Sequence, residues 1–157
     1  MLFKKKNEIS DIVKIFQEID DNYVDTDSLY CYKRGVFTFK EYKGYTFLWK
    51  VDWNVSGTLV IPDGVSIIRA GALRGLDNVT SIIIADSVKV IAGNAIELCD
   101  NLRYIKLSAG IEYMGMLAIN DCPALEEVSF PRHYDLGNCV YPIDKLYSGE
   151  DIKITRF

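Results

Sequence analysis

Residues 59–81, LVIPDGVSIIRAGALRGLDNVTS, are followed without a gap by residues 82–104, IIIADSVKVIAGNAIELCDNLRY, and these by residues 105–127, IKLSAGIEYMGMLAINDCPALEE. The period is 23 residues, and a fourth copy starts at Val128-Ser129-Phe130-Pro131 before the pattern fades near His133. A fixed period of this length is the mark of a stacked-coil architecture, so the repeat outranks every other feature in deciding the fold.

Aligned copies keep eight columns apolar or small. The first two are Leu59, Ile82, Ile105 and Val128, then Ile61, Ile84, Leu107 and Phe130; their period of two is that of a strand. Next come Val65, Val88 and Ile111, then Ile68, Ile91 and Met114. Ala72, Ala95 and Ala118 follow, with Leu73, Ile96 and Ile119 beside them. Each copy closes on Leu76, Cys99 and Cys122, then Val79, Leu102 and Leu125. One coil therefore reads as a short strand, a turn, a short helical or irregular segment around the alanine, and a second turn marked by Asp77-Asn78 and Asp100-Asn101. An unvarying alanine fits close approach between coils. Cys99 and Cys122 replace a leucine, which makes them small buried hydrophobes. A lone coil cannot offset the entropy of ordering itself, so stability must come from faces shared between neighbours.

The spacing L-x-I/L-P-x-x-V-x-x-I-x-x-x-A-L/I-x-x-C-x-x-L resembles the BspA-like branch of the leucine-rich repeats over about half the chain. Pro62, Pro131, Cys99 and Cys122 match that pattern; Ala85 and Ser108 stand in place of proline, and Leu73, Ile96 and Ile119 in place of phenylalanine. The asparagine ladder of longer leucine-rich repeats is absent, as in the shorter subclass. The resemblance implies a short leucine-rich-repeat solenoid, a parallel ribbon of strands; with the flanks read from their own residues, the expectation is an α+β chain with an N-terminal helix and β-hairpin cap. Its parts are the cap over residues 1–57, the solenoid over 58–131 and a C-terminal cap over 132–157, all within one compact domain.

Residues 7–21 predict a helix with Ile9, Ile12, Val13, Phe16 and Ile19 on one face and Asn7 as N-cap. The first coil is the nearest partner for that face. The acidic run from Asp20 to Asp27 lacks the glycine and closing glutamate of a calcium loop and reads as a solvated connection. Between Ser28 and Val55 the alternation of Val36, Thr38 and Lys40 with Phe37, Phe39 and Glu41 before Lys43-Gly44 predicts a hairpin. Its second strand, Tyr45 to Trp53, is expected to run into the solenoid sheet through Gly57-Thr58. Cys139-Val140-Tyr141 and the segment from Asp151 to Thr155 are candidate strands covering the last coil.

Chemistry is scarce. His133 is the single histidine, no CxxC pair, nucleophile elbow or phosphate loop occurs, and Asp63, Asp86, Glu126 and Glu127 fall at turn or strand-edge columns where solvated charge is the default. The expectation is a chain that is not an enzyme and needs no cofactor or metal; catalysis by carboxylates is the remote alternative. A net charge of -4 argues against nucleic acid as a direct partner, and Lys4-Lys5-Lys6 and Lys33-Arg34 are each followed by carboxylates. No apolar run is long enough to span a membrane, and no signal-peptide pattern follows the first lysines, so a cytoplasmic setting is expected.

Function then falls to the strand face that looks outward. Its ladder comprises Thr58 and Val60; Ser81, Ile83 and Ala85; Tyr104, Lys106 and Ser108; Glu127 and Ser129. Val60 and Ile83 form an apolar pair flanked by Tyr104, a protein-binding spot with Lys106 and Glu127 as specificity charges. The competing expectation is that the N-terminal helix or hairpin folds over this pair, and a third use is self-association into a homo-oligomer. The leading reading is an intracellular protein-interaction module with a protein partner of unknown identity, such as a phage or mobile-element inhibitor acting in the host cytoplasm. The alternative, implied by the resemblance, is a relative or fragment of a bacterial surface adhesin.

Overall fold

The computed structural model describes residues 10–135 and 152–157. An α-helix, α1 (Asp11–Asp20), and a 3-10 turn (Thr26–Ser28) precede strands β1 (Tyr30–Arg34), β2 (Phe37–Tyr42) and β3 (Tyr45–Val51). The first coil supplies β4 (Gly57–Ile61), β5 (Ile67–Ile68) and β6 (Leu73–Arg74). The second supplies β7 (Val79–Ile84), β8 (Val90–Ile91) and β9 (Ile96–Glu97), and the third β10 (Tyr104–Lys106), β11 (Tyr113–Met114) and β12 (Ile119–Asn120). β13 (Glu127–Phe130) opens the fourth coil, and β14 (Lys153–Arg156) stands at the end of the described chain.

The 23-residue period becomes register. Leu59 pairs with Ile82, Ile82 with Ile105, and Ile105 with Val128, all in parallel, so the first column is one continuous ribbon. The same offset joins Ile67 to Val90 to Tyr113 and Leu73 to Ile96 to Ile119. Stacking three strands per coil gives three sheets, ordered β14-β13-β10-β7-β4, β1-β2-β3-β5-β8-β11 and β12-β9-β6. The result is a short β-solenoid of about four turns, whose core holds the eight columns read from the sequence, nearly all fully buried.

The segment around the alanine, expected to be helical or irregular, holds no helix but two short strands joined by a turn. A coil that turns three corners in 23 residues leaves segments too short to repay helix nucleation. The backbone also forbids it: Gly71, Asn94 and Leu117 share a left-handed conformation (φ 72, 53 and 53), as do Gly75, Leu98 and Asp121 (φ 66, 54 and 47). These two columns bracket the third sheet and break any right-handed run. The second and third coils approach closely three residues before the alanine column, where a Cβ on Gly115 would fall 2.3 Å from the Gly93 nitrogen. Only glycine permits that contact.

The N-terminal elements differ from expectation in where they attach. β3 ends at Val51 and pairs in parallel with β5, continuing the second sheet instead of entering the β4 ribbon; the hairpin gains a further strand, β1, antiparallel to β2. Val51 stops there because its N–H bonds Ala72 O and the Asp52 N–H bonds Val36 O, turning the chain across the top of the first coil. Trp53, assigned to that strand from sequence, is left 75% exposed. Helix α1 begins at Asp11 with Ser10 at the N-cap, where Ser10 O takes the N–H of Val13 and Lys14, so Asn7 is not the cap. Asn7 itself, Ile9, the Lys4-Lys5-Lys6 cluster and Cys139-Val140-Tyr141 lie outside the described residues.

The apolar face of α1 docks across the outer surface of the second sheet. Ile12, Val13, Phe16 and Ile19 pack with Phe47, Ile67, Val90 and Ala92, and the Phe16 ring meets Tyr113 at 5.7 Å. The helix thus spans three coils instead of resting on the first alone. Glu18 fastens it to the hairpin, accepting from Tyr42 (2.7 Å) and Lys43 (2.8 Å). At the other end β14 pairs with β13, Ile154 beside Val128, an offset of 26 residues that the 23-residue search passes over.

Candidate interaction face

The ribbon of β4, β7, β10, β13 and β14 places the predicted ladder residues, apart from Ala85 and Ser108, which lie beyond the strand ends, in one of two columns. Thr58, Ser81, Tyr104, Glu127 and Lys153 are in register, and beside them Val60, Ile83, Lys106, Ser129 and Thr155. Val60 is 57% exposed, and Ser81, Ile83, Tyr104, Lys106 and Glu127 are half-buried. Ser129 departs from the expectation of an open position, being only 6% exposed. The cause is Lys106, whose Nζ lies 4.3 Å over the Phe157 ring and so bridges the strand that carries Ser129. Ser108 is also fully buried, its hydroxyl donating to Val88 O (2.6 Å).

β14 reshapes the charged half of the face. Glu127 accepts a hydrogen bond from Thr155 Oγ1 (2.9 Å) and stands 3.6 Å from Lys153 Nζ. Both residues read from sequence as specificity charges, Lys106 and Glu127, are therefore held in fixed positions by the last strand. Sequence reasoning missed Lys153, Thr155 and Phe157 as members of the face; the alternation of Ile152 and Ile154 was the available signal, since it sends Lys153, Thr155 and Phe157 outward. At the adjoining corner Arg103 and Glu126 pair at 2.6 Å, each 64% exposed.

The expected cover over Val60 and Ile83 is absent among the described residues: α1 and the hairpin lie on the second sheet instead. Their placement follows from sequence composition. The outer positions of that sheet, Ile67, Val90 and Tyr113, form one apolar column of three, continued by Phe47 on β3, against the two apolar positions Val60 and Ile83 on the ribbon face. The larger apolar wall takes the helix. At the margin of this junction the Trp49 ring packs between cations, with Arg69 at 4.0 Å and Lys40 Nζ at 4.5 Å. Burial pushes the Asp20 carboxyl above the ordinary aspartate range, Asp21 adding to the shift and Arg69 opposing it.

The family model for the BspA type leucine-rich repeat region matches residues 53–141, in 6 copies. The chain belongs to the BspA-type leucine-rich-repeat family. Among solved structures, a leucine-rich repeat protein from Bacteroides capillosus is similar at 23% identity, covering 79% of this chain and 97% of that one, with a TM-score of 0.69. That likeness supports the fold of the BspA-type coil stack. A leucine rich cell surface protein from Faecalibacterium prausnitzii is 17% identical over 64% of this chain and 33% of that one, TM-score 0.46. The pneumococcal vaccine antigen PcpA is 13% identical over 82% of this chain and 38% of that one, also at 0.46. No curated protein matches the sequence.

The remaining ionisable groups of this BspA-type chain are scattered. Asp86 accepts the Ala109 N–H (2.9 Å), Glu126 pairs with Arg103 and Glu127 with Lys153, so each carboxylate serves its own stretch of the coil surface. His133 Nε2 lies 3.3 Å from Ile111 O. Asp25 caps the 3-10 turn by accepting the Asp27 N–H (3.1 Å), the solvated connection expected of that acidic run. Among the described residues no group of three or more metal-ligating side chains converges, and no described helix is long and apolar enough to cross a membrane.

Proposed function

We propose that the chain is a non-catalytic protein-interaction module that holds its partner on the outward ribbon face, with Val60, Ile83 and Tyr104 as the apolar anchor. One observation carries this reading: Val60 is 57% exposed beside half-buried Ile83 in a rigid parallel sheet, while the helix that had the means to cover them docks elsewhere. An exposed apolar pair on a fixed surface, bordered by oriented charges, has the anatomy of a binding spot. Lys106 and Glu127, held by Phe157 and by Lys153 with Thr155, supply direction at little entropic cost.

Membership in the BspA-type family supports the general role of a protein-binding or surface-display repeat. In its narrower form the proposal is an intracellular inhibitor that occludes a host protein; the same face serves an exported adhesin equally well. Fractionation of source cells with an antibody against the chain separates these two settings. The face is tested by affinity capture with the unmodified chain, Ile83→Asp and Tyr104→Ala, each checked for an unchanged thermal midpoint. Loss of the captured partner in both variants is expected, and undiminished capture by both eliminates the ribbon face as the contact.

A further inference from the structure

The cap completes the strands of the first coil unequally. It lays β3 in parallel on β5, and the Val51 N–H bonds Ala72 O beside β6, whereas β4 pairs with β7 alone. Among the described residues no strand stands on the other edge of β4. Which groups line that edge follows from the ribbon's own bonds. The Leu107 N–H donates to Ser129 O of the next coil (2.9 Å), so residues in the Leu107 and Ile105 columns turn their main chain toward the following strand. In a parallel ladder the intervening residues turn theirs the other way. The same columns in β4 hold Leu59 and Ile61, which face β7, and leave the N–H and C=O groups of Thr58 and Val60 pointing away from it. Those two residues are the exposed ones, Val60 at 57%, while Leu59 and Ile61 are buried. Main-chain donors and acceptors thus face water along the end of a rigid sheet. No lysine or proline stands in β4 to guard them, although such residues are a usual defence of an open edge.

We propose that the free edge of β4 binds an extended segment of a partner protein, which adds one strand to the ribbon at the level of β3. The unpaired groups select this occupant. Donors and acceptors alternating along a sheet edge are matched by another extended main chain, which satisfies them in pairs. An added strand lies about 4.8 Å from β4, in line with the columns of the face. Its residue beside Val60 extends the apolar row of Val60 and Ile83, so a β-branched or aromatic side chain fits there. Its residue beside Thr58 continues the polar row of Thr58 and Ser81. A second copy stacked end to end does not fit, because β1 and β2 continue the second sheet beyond β3 and stand where its coils would lie. The assignment deepens the interaction reading above and rests on it for Val60, but its main-chain contact needs neither Ile83 nor Tyr104.

The test is amide hydrogen exchange of the full chain with a synthetic peptide of the β7 sequence, Val79–Ile84, flanked by lysines, since β4 already accepts that sequence on its other side. In the chain alone Thr58 and Val60 should exchange fast and Leu59 and Ile61 slowly. Protection of all four without peptide, at every protein concentration, means a covered edge and overturns the proposal. Added peptide should slow Thr58 and Val60 about tenfold or more. The same peptide N-methylated throughout has no donor left and should slow neither. Val60→Pro removes one edge donor without touching the ladder to β7, so it should keep the thermal midpoint and weaken the peptide about tenfold. Absence of protection at millimolar peptide overturns the proposal, as does full-strength binding by folded Val60→Pro or by the N-methylated peptide. Protection that appears on concentrating the chain alone would put a second copy on the edge and overturn the assignment to a partner segment. Should Val60→Pro fail to fold, the two peptides still decide. Tyr104→Ala should leave peptide protection unchanged while it abolishes capture through the face, so either reading can fail without the other.

Discussion

The two outer faces of the solenoid that bear apolar ladders have opposite fates. On the second sheet Ile67 and Val90 are fully buried beneath α1, whereas on the ribbon Val60 and Ile83, at equivalent outward positions, keep contact with solvent. Both faces rest on the same core and the same coil spacing, so the difference lies in the outer columns. A column of three apolar residues, Ile67, Val90 and Tyr113, extended by Phe47, offers a helix of four buried residues a complete wall. The ribbon offers two apolar positions before Lys106 interrupts the ladder. A charge two coils along thus diverts the helix and leaves the binding face open.

The largest expected effect is the contrast between one acidic residue on each face. Val90→Asp strands a carboxylate between α1 and the core, and should cost about 3–5 kcal/mol in urea denaturation. Ile83→Asp meets water and should cost less than about 1 kcal/mol. Equal losses from the two variants would end the distinction between a covered and an open face. Phe16→Ala follows, at about 3 kcal/mol for a buried aromatic ring. Its sharper signature is local: amides of α1 should lose hydrogen-exchange protection while those of β7 and β10 keep theirs, because the helix is bolted on from outside. Coincident loss in helix and strands would show that α1 is integral to the coil stack.

These faces also mark how far the sequence is legible. The inward columns were readable because each repeats every 23 residues without interruption, and Leu59, Ile82, Ile105 and Val128 do form one ribbon. The ladder residues of the face followed from strand alternation alone. The helix site did not, because its signal is of another kind: Ile67-Ile68, Val90-Ile91 and Tyr113-Met114 are adjacent apolar doublets, the pattern of a strand buried on both sides. Read as a strand instead of a helical stretch, those doublets name the covered sheet. The burial of Ser129 was beyond reach, since it depends on a strand 26 residues onward whose register breaks the period. The charged residues of the face were identified, but their internal partners come from that same unrepeated strand.

A smaller effect of opposite sign comes from the corners. Leu98 and Leu117 hold left-handed backbone at columns where the first coil uses glycine. A side chain there costs about 1–2 kcal/mol, while glycine returns part of that through its greater freedom when unfolded. Leu98→Gly, at a side chain 38% exposed, should therefore raise stability by about 0.5–1 kcal/mol. A lower denaturation midpoint would mean that the Leu98 side chain contributes more through packing than the corner loses through strain.

The smallest effect is electrostatic and confined to the covered face. Glu18 is held below the ordinary glutamate range, chiefly by Lys43 and then by Tyr42, with burial opposing. A carboxyl with a depressed folded value binds its proton more readily in the unfolded chain, so its contribution is complete above the ordinary glutamate range. It is lost as the pH falls through the lower folded value. The junction of α1 with β2 should therefore loosen in acid, visible as faster exchange of α1 amides. Glu18→Gln removes the ionisation and should flatten the part of that profile between the two values, leaving the ribbon amides unchanged. Because Glu18 bonds only the hairpin, an acid response spreading to β7 and β10 would mean that helix and ribbon open together, and that the covered face is no more separable than the open one.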